Sequence, residues 1–315
     1  MLFFLLFLSI ISTIVPLMLS VAFPTLSERK IMASFQSRRG PNTVGFLGFL
    51  QPIADGLKLL LKETIMPYKA SSFLSTIAPL LSFSISILLW FILPPSSNFS
   101  FLHSNLGLLL IFGFSSPNVY GIILSGWSSN SNYALSGSLR SASQMISYEV
   151  SMGLTIIPVI LLTGSLNLID IVNTQQQIWF IFLLAPCAFF FSISILAETN
   201  RSPFDLPEAE AELVSGYNVD YSSLYFALFF PAEYANILFM SALFVVCFLG
   251  GGFFSQNNYV LVFLLKHLFI VFCFIWVRSA YPRYRFDQLM VLGWKTILPL
   301  MLTYSILIMS IQILA

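Results

Sequence analysis

The sequence predicts an all-α polytopic membrane protein with eight transmembrane helices and an amphipathic interfacial helix near 51–62. Three observations carry that reading. Of the 315 residues, 57% are hydrophobic and only 9% charged, against about 25% charged in a soluble domain. Eight apolar runs approach the ~20 residues that a helix needs to cross a bilayer. Twelve of the fourteen Lys and Arg fall in just four of the connections between those runs, a bias that marks the inner side of a membrane.

The runs are 2–23, 72–93, 106–126, 145–163, 178–197, 224–249, 258–277 and 290–313, in one membrane domain over 1–315. The first begins at Leu2 with no basic segment before it and no small-residue cleavage site after it, so it is expected to be a retained helix. The third is interrupted by Ser115-Ser116-Pro117-Asn118 and is kept because membrane helices tolerate proline where neighbours satisfy the freed backbone groups. Eight spans place 24–71, 127–144, 198–223 and 278–289 on one side. Those connections hold Arg29, Lys30, Arg38, Arg39, Lys58, Lys62, Lys69, Arg140, Arg201, Arg278, Arg283 and Arg285. The opposite connections, 94–105, 164–177 and 250–257, have no Lys or Arg, and Asp170 is their only full charge. Both termini are therefore expected to point outward.

The three cysteines stand singly in apolar runs, there are two histidines, and neither a CxxC pair nor a GxGxxG or Walker A loop occurs. Iron–sulfur and structural zinc sites use about four clustered ligands, so redox or nucleotide chemistry is assigned to partners. This chain is expected to bind no metal, flavin or nucleotide, and no nucleic acid.

Within the first inner connection, "QPIADGLKLLLKE" starts with Pro52 near a first helical position. It sets Asp55, Lys58 and Lys62 against Ile53, Leu57, Leu60 and Leu61, the pattern of a helix lying in the interface plane. A buried pairing of Asp55 with a loop arginine competes with simple solvation. In the second, "SGWSSNSNYALSGSLRSASQMISYEV" leads to Glu149, about one turn inside the fourth span; an acid there is a functional candidate by default. Its alternative is a plain hydrogen bond across the bundle.

The stretch "AETNRSPFDLPEAEAELVSGYNVDY", 197–221, holds six of the chain's thirteen acids: Glu198, Asp205, Glu208, Glu210, Glu212 and Asp220. A short helix from about Pro207 would stack Glu208 and Glu212 at i, i+4, where like charges repel. Partial dehydration would then raise some of their pKa values into the range that proton exchange requires. Acid runs in loops are ordinarily just solvated, but here Glu149, Glu198 and Glu233 approach the same membrane edge from three helices. Counting 1.5 Å per residue brings Glu233 and Lys266 both to mid-depth, so a buried Glu233–Lys266 pair is expected.

"ERK…RRGPN…QPIADGLKL…KE", "SGWSSNSNYALSGSLR…ISYEV", "AETNRSPFDLPEAEAELVSGYNVDY", "FFPAEY" and "RSAYPRYRFDQLM" occur in this order from Ser27 to Lys295. They resemble the chain 1 family of NADH–ubiquinone oxidoreductase, the quinone-site membrane subunit of mitochondrial respiratory complex I. The resemblance implies a subunit that forms most of a ubiquinone tunnel and joins a redox arm to the proton-pumping arm. Ubiquinone would be the substrate, with NADH, FMN and iron–sulfur clusters on partner subunits. It places Arg29, Arg38, Asp55, Phe226, Phe230 and Arg278 along the quinone path. It places Glu149, Glu198, Asp205, Glu208, Glu210, Glu212 and Glu233 in a chain of acids toward the pumping subunits; Asp220 stands where the family has glutamate and is not carried over. Partners implied are peripheral quinone-module subunits on the charged face, small neighbouring membrane subunits and the lipid bilayer. The implied location is the mitochondrial inner membrane, charged loops toward the matrix and termini toward the intermembrane space.

Tunnel walls for an isoprenoid tail are apolar and aromatic, and Phe226, Phe229 and Phe230 lie at i, i+3, i+4. Three other readings compete. A stand-alone secondary ion transporter lacks the matched internal repeats usual there. The related membrane subunit of ion-pumping hydrogenases is disfavoured by the aromatic stretch after Asp220. A purely structural anchor leaves the acids unexplained.

Overall fold

The computed structural model describes residues 2–94, 104–205, 216–252 and 259–314, with side chains from residue 14 onward and excepting that of Tyr259. Its helices are α1 (Leu2–Phe35), α2 (Gln51–Leu61), α3 (Ser72–Ile92), α4 (Gly107–Ser129), α5 (Asn132–Thr163), α6 (Leu168–Thr174), α7 (Phe180–Leu183), α8 (Ala185–Glu198), α9 (Ser223–Phe248), α10 (Tyr259–Ala280) and α11 (Phe286–Leu314). No strand occurs among the described residues.

Six described helices, α3, α4, α5, α9, α10 and α11, are long and apolar enough to cross a membrane. The first expected span lies within α1. The fifth is divided, because Leu184 leaves the helical region (φ −115°, ψ 39°) just before Pro186. Proline has no N–H to give and crowds the carbonyl four residues back, so 178–197 becomes a short turn and the 14-residue α8. Ser115-Ser116-Pro117 does not break α4: both serine hydroxyls lie within hydrogen-bond reach of the Phe112 carbonyl, at 3.1 and 2.7 Å, as well as of Glu149.

Two helices run well past the expected spans. α1 continues from residue 23 to Phe35, so Glu28, Arg29 and Lys30 ride on a helix rather than a loop. α5 begins at Asn132 instead of 145, and the expected connection 127–144 shrinks to a turn at Asn130, whose left-handed φ of 52° ends α4. Polar residues there hid the helix because they face inward: Ser138, Ser141 and Gln144 are buried. The short helix expected near Pro207 lies outside the described residues.

α5 is the axis of the bundle, packed by α4, α8 and α11, while α9 is packed by α3, α10 and α1. Tyr148, Met152, Ile156 and Val159 follow helical spacing and are fully buried against Phe191 and Ile195 of α8. α11 contains a π-helical turn, Leu292–Ile297, where Gly293 lies against the Tyr148 ring. Tyr148 donates to the Leu289 carbonyl one turn earlier, at 3.0 Å.

α4 and α5 touch through glycine. A Cβ on Gly126 would sit 2.4 Å from Ser138 Cβ and 2.8 Å from the Ala134 carbonyl oxygen, and no rotamer moves those atoms away. Gly126→Ala is expected to cost about 1–3 kcal/mol, the usual penalty of overpacking. Gly153→Ala, whose Cβ meets open space in the adjoining helix, is expected to be neutral or to gain up to ~1 kcal/mol of helix propensity. Thermal melting of the solubilised protein separates the two; equal midpoints would contradict the close α4–α5 contact.

Candidate functional site

Helical spacing along α1 places Leu17, Val21, Pro24 and Glu28 on one face, and the last of these is a buried carboxylate. Two guanidiniums and a phenol close around it. Arg278, at the end of α10, donates to Glu28 Oε1. Arg201, just past α8, reaches the same oxygen at 3.5 Å. Tyr234 of α9 donates to Oε2 at 2.5 Å, and the Arg201 guanidinium lies 4.4 Å from the centre of the Tyr234 ring. Burial alone would push the Glu28 carboxyl up. The charges of Arg201 and Arg278, with the Tyr234 and Arg278 hydrogen bonds, outweigh it and hold the group below its ordinary 4.5.

The cluster forms the polar end of a recess whose remaining wall includes Leu196, Ile237, Val271 and Phe274. Its lining sets hydrogen-bonding groups at one end against an apolar wall along the rest.

The other expected quinone-path residues stand apart from this recess. Arg29 pairs with Asp55 at 2.8 Å, but both side chains are more than a third exposed. The buried alternative for Asp55 is thus replaced by a surface pair worth at most ~1 kcal/mol. Arg38 is exposed and holds Gln36 at 2.8 Å. Phe226 and Phe230 meet edge to face with centroids 4.7 Å apart. Phe229 instead turns into the core between Tyr217 and Tyr221.

Four of the acids expected in the relay, Glu149, Glu198, Asp205 and Glu233, are among the described residues. Glu149 accepts from Ser116 at 2.7 Å and from Ser115 at 3.4 Å, both on α4. Glu198 ends α8, just past the expected span, and is buried; that burial, and then the Glu149 charge, push its carboxyl well above the ordinary range. Asp205 is buried and pairs with Arg283 at 3.3 Å. Glu233 accepts from Tyr217. Glu208, Glu210 and Glu212 lie outside the described residues.

The Glu233–Lys266 pair is not made. Lys266 donates to the carbonyls of Leu249 and Gly251, at 2.6 and 3.0 Å, and covers the Trp179 ring at 4.5 Å. Leu249 is sixteen residues from Glu233 along the same chain, about 24 Å of helix. Counting Cα positions ignored the reach of the lysine side chain, which runs to the carbonyls at and just past the end of α9.

Sequence reasoning missed Glu28, Arg201 and Tyr234 as a unit. Spacing was the available signal: 17, 21, 24 and 28 on α1 (i, i+4, i+7, i+11) and 271, 274, 275 and 278 on α10 (i, i+3, i+4, i+7) each follow one helix face, with a charge at the end of an apolar stripe.

These features define a class: a helical polytopic membrane protein that gathers its buried charges at one end of the bundle, beside an amphiphilic recess. A family model described as NADH dehydrogenase matches residues 8–309. NADH-ubiquinone oxidoreductase chain 1 of Chondrus crispus is 53% identical over 97% of this chain and 96% of its own length. The chain 1 of Arabidopsis thaliana is 54% identical over 93% and 92%. A bacterial counterpart, an NADH-quinone oxidoreductase subunit of Ehrlichia ruminantium, is 51% identical over 98% and 90%. The chain belongs to this family of NADH-ubiquinone oxidoreductase chain 1 proteins and their NADH-quinone oxidoreductase counterparts.

Proposed function

We propose that this chain is the membrane subunit of a proton-pumping NADH:ubiquinone oxidoreductase that admits ubiquinone to its reduction site and couples that reduction to proton movement. The observation that carries the reading is the recess at Glu28: apolar along most of its wall and closed at one end by Arg201, Tyr234 and Arg278. An isoprenoid tail matches the first part. Quinone carbonyls accept hydrogen bonds, and each of the two guanidiniums carries five N–H donors, more than Glu28 takes. The exposed Arg29–Asp55 pair and the Phe226–Phe230 edge line the approach in this reading.

Reduction of a quinone to a quinol consumes two electrons, supplied by partner subunits, and two protons. The associated change of charge falls beside Glu28, and the acids Asp205, Glu208, Glu210 and Glu212 follow in the chain immediately after Arg201. Redistribution of protons then proceeds through Glu233, Glu198 and Glu149 toward neighbouring membrane subunits. Eight spans complete the topology: the six long helices, α1, and the α7–α8 pair. The basic connections face the matrix of the mitochondrion, where the peripheral quinone-module subunits dock, and the termini face the intermembrane space.

A native gel of gently solubilised membranes, stained for NADH dehydrogenase activity and probed for this chain, tests the reading. Comigration near megadalton size with inhibitor-sensitive ubiquinone reduction is expected. A small, inactive band would overturn it in favour of a stand-alone transporter.

A further inference from the structure

Gln144 of α5 is fully buried, and both of its amide hydrogens are committed. Nε2 donates to the carbonyls of Ala197 and Phe204, each at 2.8 Å. Those two acceptors fix which way round the amide lies, since the flipped amide would set oxygen against oxygen. Oε1 must therefore point away from them, and it accepts no hydrogen bond among the described residues. Leaving such an acceptor buried and unmet is costly, so a donor is required there.

Ala197 is the residue before Glu198. Glu198 Oε2 is likewise buried and accepts no hydrogen bond among the described residues. Both are buried acceptors without donors, and Gln144 is anchored on the residue next to Glu198, so one proton shared between them would meet both. Its neighbours favour that placement. Arg201, three residues on, pairs with Glu28 across the helix end, and the charge that acts on Glu198 is the like charge of Glu149.

We infer that Glu198 carries its proton as a neutral carboxylic acid and donates it to Gln144 Oε1, directly or across one water molecule. Gln144 is then a positioning residue. It ties the proton-bearing carboxyl of α8 to α5, the helix that carries Glu149, and at the same time holds the start of the 199–205 turn through Phe204. This deepens the relay reading, but its test does not pass through proton pumping.

Infrared difference spectroscopy of the assembled complex against Glu198→Gln isolates the Glu198 carboxylic C=O band. In the wild type that band is expected at the low wavenumber of a hydrogen-bonded acid. Gln144→Leu removes the acceptor and is expected to move it upward. Gln144→Lys keeps donors for both carbonyls but offers none of the acceptor, and its charge is expected to abolish the band by ionising Glu198. A wild-type band at the wavenumber of a free acid, no band at all, or a band that neither variant moves would overturn the inference. The wild-type band alone decides if a variant fails to assemble. Failure of the relay reading would appear separately, as normal pumping in Glu198→Gln.

Discussion

Glu28→Gln is expected to destabilise the protein by about 3–5 kcal/mol, the usual consequence of removing one partner from a buried ion pair. The substitution is nearly isosteric, so the loss is electrostatic. Arg201 and Arg278 would be left facing each other with their side chains only 11% and 24% exposed, and without the counter-charge that now lies between them. Arg29→Ala, which opens an exposed pair next along the same helix, is expected to cost no more than ~1 kcal/mol. Glu28→Asp should fall between, because a shorter carboxylate cannot meet Tyr234 and both guanidiniums together. Thermal melting in detergent or nanodiscs ranks the three, and a Glu28→Gln midpoint equal to that of Arg29→Ala would refute the buried cluster. The pH dependence has a definite sign. The folded-state pKa of Glu28 lies below its unfolded 4.5, so the cluster's contribution is complete above 4.5 and is lost as the pH falls through the lower, folded value. The gap between wild type and Glu28→Gln should stay constant at neutral and alkaline pH and narrow only in acid.

Much of the architecture was legible in the sequence because bilayer thickness and helix rise convert an apolar run into a span with little ambiguity. Where the reading failed, side chains reached beyond their own backbone level or polar residues turned inward. The serine-rich start of α5 reads as a loop by composition, yet Ser138, Ser141 and Gln144 are buried and helical. Small hydroxyl side chains satisfy themselves on the preceding turn of their own helix, as Ser138 does on Leu135 and Ser141 on Ser138, at 2.9 Å each. Lys266 read as mid-membrane by count, but its ammonium lies among carbonyls at the end of α9. At the site, Arg278 was legible as a basic residue ending a span. Its partner Glu28 was not, because pairing across 250 residues depends on how α1 and α10 meet, which no local pattern encodes. Arg29 and Asp55 did pair, and solvent rather than burial decides what that pair is worth.

Glu149→Gln should leave the fold standing and remove coupled turnover. Ser115 and Ser116 both present hydroxyls to Glu149 Oε1, and a glutamine oxygen accepts from the same donors with almost unchanged volume. What glutamine cannot do is gain or lose a proton at this position. Removing a positioned proton-transfer group commonly costs about 10²–10⁴ in rate, so inhibitor-sensitive ubiquinone reduction and proton translocation in sealed vesicles should both fall by at least about tenfold, as should those of Glu210→Gln. Under the proposed function, electron transfer from NADH to a water-soluble acceptor runs through partner subunits, so it should be unchanged and reports assembly. Ser116→Ala separates the acid from its setting. The carboxyl remains able to exchange a proton but loses a hydrogen bond to its charged form, worth about 1.5–3 kcal/mol, so turnover should fall only in part rather than be abolished. If Glu149→Gln and Glu210→Gln both reduced ubiquinone at the wild-type rate and pumped normally, the acids would have to be read as structural. Glu149 would then be no more than the hydrogen-bonded clamp that its two serines already make it.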